Sequence, residues 1–301
     1  MSTKGINEMK IRICNGRTSL TRIGSLNIRS LAWVTIVQMM FLAVANAAFP
    51  SNEEPVVLIT GANASHGLAF VEEYAALGWN VIATCRTPAK ADRLNALALD
   101  FPNVVVEELD IVDKDEIDAL AEKYRDTPID VLLNNAAINT FRFGPNRFGK
   151  MDYEWFEEIL KVNIIGPLMV SEAFQNHVAA SDQKKIIAMT STGGSITEVK
   201  VPVAPAYRAS KAGLNMAMRT YAIAMKPKGL IVSIIAPGTV DTADYMNAED
   251  PSTVPSNYKM MMKAKRLAPR TAIDDMIKLI DRLTLEDTGV YYEWTGRVIP
   301  W

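Results

Sequence analysis

Tyr207-Arg208-Ala209-Ser210-Lys211 is the pentapeptide richest in chemistry in this chain. On a helix, residues i and i+4 share a face, so the Tyr207 phenol and the Lys211 ammonium can point into one cleft. A cation beside a phenol favours the phenolate, which predicts a Tyr207 pKa drawn down from about 10 toward working pH. Such a pair is an acid/base of the kind that hydride transfer to a carbonyl requires. Sixteen residues upstream, Thr190-Ser191-Thr192-Gly193-Gly194-Ser195 offers hydroxyls able to hold a carbonyl oxygen.

A second group of residues suits a phosphate. Thr60-Gly61-Ala62-Asn63-Ala64-Ser65-His66-Gly67 stands between an apolar run and a helix-length segment. A glycine-rich turn at that point lets backbone N–H groups and a helix N-terminus approach a pyrophosphate. After the next apolar run comes Cys85-Arg86, where dinucleotide folds often carry an acid for the ribose 2′-hydroxyl. An arginine there suits a 2′-phosphate, so NADP is expected, with NAD the alternative.

These groups need a scaffold that brings strand ends together. Six short runs rich in β-branched residues, beginning at Val56, Val81, Val104, Val131, Ile186 and Ile231, read as strands apolar on both faces. Helix-length segments lie between them: Leu68–Leu77, Ala89–Leu99, Lys114–Tyr124, Tyr153–Val178 and Tyr207–Met225. The alternation predicts right-handed crossovers and an α/β fold with a doubly wound parallel sheet. Its carboxyl edge is where ligands sit in such sheets, and Ser191 and Gly61 both follow strands there.

Composition agrees with one large core: 301 residues, 49% hydrophobic and 22% charged, exclude disorder and disulfide-stapled miniproteins. A formal net charge of −2 is too balanced for a protein that neutralises nucleic-acid phosphates. The charge is unevenly spread, however, with +5 on residues 1–30 and −7 on the rest. Leu31 to Phe49 then carries no formal charge, and Ala45-Asn46-Ala47 gives a small-x-small pattern at its end. Residues 1–54 therefore read as a secretory signal, a membrane anchor or a leader outside the fold, followed by a linker. Cys14 and Cys85 leave no disulfide possible within the main body, and no metal-ligand cluster is evident. His66 and His177 read as surface or packing residues, and Met246 with Met260-Met261-Met262 as a candidate lid over an apolar substrate. Phe141, Phe143, Phe148 and Trp155 are candidates to line a substrate cleft.

Together these motifs resemble the short-chain dehydrogenase/reductase family, over Val56 to the C-terminus. Gly61 and Gly67 match its Thr-Gly-x-x-x-Gly-x-Gly motif, with Ser65 replacing the middle glycine. Asn134-Asn135-Ala136-Ala137 resembles Asn-Asn-Ala-Gly with the glycine lost. Thr190-Ser191 followed by Gly194-Ser195-Ile196, and the ending Gly296-Arg297-Val298-Ile299-Pro300-Trp301, resemble the C-factor and sniffer-type carbonyl reductase branch.

The resemblance implies a single Rossmann-type domain over residues 55–301. It implies Tyr207 as acid/base, with Lys211 tuning it and holding the nicotinamide ribose. Ser191 orients the carbonyl, with Ser195 the competitor, and Asn163 supports a water relay to Lys211. Cofactor contacts are implied for Gly61, Ser65, Gly67, Arg86, Asp110, Asn135, Tyr207, Lys211, Pro237, Gly238 and Thr242. The expected partners are a small carbonyl or alcohol and a second copy of the chain, as dimer or tetramer, in the cytoplasm. The alternative is a dinucleotide-binding sensor with weak or vestigial catalysis, motivated by Ser65 and Ala137.

Overall fold

A computed structural model of the chain describes residues 49, 53–138, 148–238 and 269–301. The apolar runs form strands β1 (Val56–Thr60), β2 (Asn80–Cys85), β3 (Val104–Glu108), β4 (Val131–Asn134), β5 (Lys185–Met189) and β6 (Ile231–Ala236). A seventh, β7 (Tyr291–Glu293), escapes the sequence pattern because it is three residues long and ends in a charge. All pair in parallel, in the order β3-β2-β1-β4-β5-β6-β7.

Among the described residues seven helices cover the sheet: α1 (Ser65–Ala76), α2 (Asp92–Asp100), α3 (Lys114–Lys123), α4 (Tyr153–Leu160), α5 (Gly166–Ala179), α6 (Pro205–Met225) and α7 (Pro269–Arg282). Successive strand residues point to opposite faces, and each face has its own core. Leu58, Ile82, Leu132 and Ile186 pack with Phe174 of α5 and Leu214 and Met218 of α6. Val57, Ile59, Leu133 and Ile187 pack with Phe70 and Tyr74 of α1 and Met276 of α7. Every residue of β1, β2, β4 and β5 is buried, as two-sided cover demands, whereas edge strand β3 buries only Val104.

The segment expected as one helix over Tyr153–Val178 is interrupted by a π-helical turn over Lys161–Ile165. Pro167 explains it. In α register, the amide of residue 167 would serve the Asn163 carbonyl, and proline has no N–H to give. The chain widens by one residue, so that the Gly166 N–H donates to the Lys161 carbonyl. Wide turns of this kind concentrate at functional sites.

Sequence order runs outward from β1 to β3 on one side and from β4 to β7 on the other. The reversal leaves a crevice at the carboxyl ends of β1 and β4, the usual ligand position in open α/β sheets. Among the described residues no helix is long and apolar enough to cross a membrane. Residues 1–48, Phe141, Phe143, Thr242 and the proposed lid over 243–268 lie outside the described residues.

Candidate active site

At the crevice the chain leaves β1 and turns at Gly61, φ +65°. A Cβ on Gly61 would lie 2.8 Å from the Ala136 Cα, and one on Gly67 would lie 2.2 Å from the Gly61 carbonyl oxygen. Both glycines are therefore fixed by close backbone approach. The Thr60 hydroxyl accepts from the backbone N–H groups of Asn135 (3.0 Å) and Ala136 (3.1 Å). In return the Asn135 side-chain amide donates to the carbonyls of Thr60 (2.9 Å) and Gly61 (3.1 Å). These bonds lock the ends of β1 and β4 and leave the first turn of α1 facing the crevice, where its unpaired amides and dipole favour an anion.

The two lost glycines differ. Ser65 has φ +57°, the left-handed region that glycine occupies without steric penalty, while Ala137 is not among the positive-φ residues. Only the first replacement strains the backbone. Arg86 follows β2 directly and is exposed, with no ion pair among the described residues. Asp110, after β3, accepts from the Val112 N–H at 3.1 Å and remains half-buried. Gly238, with φ +74°, and Pro237 follow β6, and Trp294 leaves no room for a Cβ there, since its ring would lie 2.8 Å away.

The other side of the crevice is built on β5 and α6. Ser191, two residues past β5, hydrogen-bonds the Tyr207 phenol and accepts from the Gly193 N–H at 3.1 Å. Lys211 is 3% exposed, and its ammonium donates to the Met189 carbonyl at 2.9 Å. That ammonium lies 5.9 Å from the Tyr207 ring centroid, so phenol and amine share one face of the helix. Ser195 is fully buried and donates to the Pro300 carbonyl at 2.6 Å, which occupies it in holding the C-terminal segment.

Asn163 is fully buried in the π turn. Its side chain accepts from the Ile138 N–H (2.7 Å) and donates to the Ile138 carbonyl and the Ser210 hydroxyl (both 3.0 Å). Ser210 in turn donates to the Tyr207 carbonyl at 2.7 Å, so Asn163 ties the loop after β4 to the helix carrying Tyr207 and Lys211.

The expectation that Lys211 draws the phenol down toward neutrality is corrected. Burial raises the Tyr207 pKa, and the hydrogen bond from Ser191 offsets part of that rise. Burial also lowers Lys211, to about 8, because its partner is a neutral carbonyl rather than an anion. At neutral pH the phenol keeps its proton.

Three supporting residues escaped the motif reading. Asn215, four residues after Lys211 and 2% exposed, accepts from the Thr190 hydroxyl at 2.7 Å. Its place on the same helical face was the available signal. Tyr291 donates to the Ser191 carbonyl at 2.5 Å, and Trp294 packs on Gly238. Both come from β7 and its exit, whose short run carried no periodic signal.

A parallel sheet with a glycine turn at its switch point and a Ser-Tyr-Lys group at the neighbouring strand end defines a Rossmann-type, dinucleotide-binding class of protein. The chain belongs to the short-chain dehydrogenase family, whose model matches residues 55–252. NADPH-bound carbonyl reductase from chicken fatty liver is 30% identical, covers 82% of this chain and 99% of its own, and superposes with a TM-score of 0.70. Carbonyl reductase Sniffer of D. melanogaster is 25% identical over 83% of this chain and all of its own, with a TM-score of 0.69. C-signal of Myxococcus xanthus is 30% identical over 174 residues, 58% of this chain and 93% of its own length. The branch resemblance read from the sequence is thus matched by both relatives it named.

Proposed function

We propose that this protein is an NADP(H)-dependent reductase of a small carbonyl compound, with Tyr207 as the proton donor. The observation that carries this reading is the hydrogen bond between Ser191 and a phenol that burial keeps protonated, one helical turn from a buried amine. The crevice suits the cofactor, because Gly61 and Gly67 hold the turn in close backbone approach at the start of α1, and Arg86 is exposed directly after β2, where an arginine suits a 2′-phosphate. Bound there, the nicotinamide would supply the hydride. Ser191 orients the carbonyl oxygen, and Tyr207 delivers the proton to it as negative charge develops. Lys211 holds the nicotinamide ribose, and Asn163 supports a relay that returns a proton toward Lys211. Gly61, Ser65, Gly67, Asp110, Asn135, Pro237, Gly238 and Thr242 complete the cofactor site in this reading.

The working domain is residues 55–301, which Phe49 joins by packing into its core, and the remainder of residues 1–54 is a leader. We place the domain in the cytoplasm, where reduced nicotinamide is available, as a dimer or tetramer. Mass spectrometry of the mature N-terminus checks the location, and a protein that begins near Ala48 in an exported fraction overturns it. The activity is tested by following NADPH oxidation against a panel of aldehydes and ketones. Turnover above the no-substrate rate is expected for at least one carbonyl. An NADPH-saturated protein that reduces none of them is the sensor of the alternative reading, not a reductase.

A further inference from the structure

His66 lies inside the glycine turn, in the first turn of α1. Its two nitrogens have different surroundings. Nδ1 is 3.3 Å from the Ser65 hydroxyl, whereas Nε2 is fully buried and has no hydrogen-bond partner among the described residues. A buried, unpaired imidazole nitrogen costs about 1–3 kcal/mol, so it calls for an explanation. Packing alone would be served better by an apolar side chain.

The surroundings point to a ligand. Lys211 lies within electrostatic reach of the ring. Both groups are buried donors, and two donors cannot satisfy each other. Burial first, then the Lys211 ammonium, hold the ring neutral, lowering His66 to about 4. The serine hydroxyl can donate to Nδ1, which leaves the proton of the neutral ring on Nε2. An oxygen brought to Nε2–H would satisfy it, whereas the Lys211 ammonium already has the Met189 carbonyl.

We propose that His66, through Nε2, binds an oxygen of the pyrophosphate–ribose link on the nicotinamide half of the dinucleotide. This rests on the NADP(H) reading above and gives His66 a role beyond that of a surface or packing residue. Ser65 gains a role at the same time. Its hydroxyl fixes the tautomer of the ring, which a glycine at that position could not do. The first turn of α1 thereby binds the cofactor with a side chain as well as with backbone amides.

The test is calorimetric titration of the full chain with NADPH and, separately, with 2′,5′-ADP, which carries the 2′-phosphate but lacks the nicotinamide half. The proteins are the natural sequence, His66→Leu and His66→Gln, the last retaining a side-chain N–H. His66→Leu is expected to weaken NADPH about tenfold, the loss of one buried hydrogen bond, and to bind 2′,5′-ADP within twofold of the natural protein. His66→Gln is expected to recover NADPH affinity to within about threefold. Equal NADPH affinity in His66→Leu and the natural protein overturns the proposal, as does a parallel loss of both probes, or a glutamine variant as weak as the leucine one. A natural protein that binds neither probe removes the cofactor reading itself.

Discussion

The two walls of the crevice recognise in different ways. The wall formed by β1, β2 and α1 is mostly backbone, with glycines at close approach, the first-turn amides of α1 and one strained serine, and to these it adds the side chains of the exposed Arg86 and of His66. The wall formed by β5 and α6 works through side chains joined in sequence, from Asn163 through Ser210 to the Tyr207 carbonyl and from Ser191 to the phenol. Both departures from the family pattern, Ser65 and Ala137, fall on the first wall or beside it. In the proposed reading, a surface that binds mainly through N–H groups and shape accepts a new side chain where the chain path survives, and one that moves a proton does not, since the reacting atoms are the side chains themselves.

If that contrast is right, Tyr207→Phe separates the walls most widely. Carbonyl reduction should fall by about 10²–10⁴, the range of a lost general acid. NADPH affinity measured by titration should change less than threefold. A variant that keeps its turnover removes Tyr207 from the proton step. The opposite signature belongs to Arg86→Ala. Loss of a charge-assisted contact to the 2′-phosphate should weaken NADPH by about 10–100-fold and leave NADH unaffected. Equal weakening of both cofactors would reassign Arg86 to the shape of the loop.

A pH experiment tests the buried amine of the second wall. Lys211 is near 8 in the folded chain, against about 10.5 for a free lysine. Between those values the unfolded chain binds the extra proton, so stability attributable to Lys211 rises with pH from about 8 to about 10.5 and is flat below. Lys211→Met removes the titration. The Tm of the natural protein minus that of the variant should therefore increase over this window, corresponding to on the order of 1–3 kcal/mol. The lost bond to the Met189 carbonyl shifts the difference by a constant and leaves its slope unchanged. A difference independent of pH would mean that Lys211 is charged and compensated in the fold.

The sequence carried the fold far because two-sided apolar strands leave dense signals, and the same holds for Gly61, Gly67, Tyr207 and Lys211, whose spacing is chemical. It failed where the determinant is three-dimensional. β7 pairs along only three residues, and its Tyr291 reaches Ser191 across 100 positions of sequence. The π turn depends on a proline four residues after Asn163, a local rule that periodicity does not reveal. The pKa of Tyr207 went the other way from expectation because burial outweighs a cation whose charge is directed at a carbonyl.

The smallest effect is the sharpest probe of the first wall. Ser65 and Ala137 each stand where the family pattern has glycine, yet only Ser65, at φ +57°, is held in the left-handed region. A non-glycine residue there is strained by about 1–2 kcal/mol. Glycine relieves this strain and adds freedom to the unfolded chain, which offsets part of the gain. Ser65→Gly should accordingly raise stability by up to about 1 kcal/mol in thermal unfolding of the cofactor-free protein. Ala137→Gly has no strain to relieve and should lower it by about 0.5 kcal/mol through unfolded-state entropy alone. Opposite signs at two positions with the same family residue would show that the backbone angle, not the motif, decides what a glycine is for. Equal signs would mean that the Ser65–His66 hydrogen bond at 3.3 Å stabilises the turn as much as its conformation strains it.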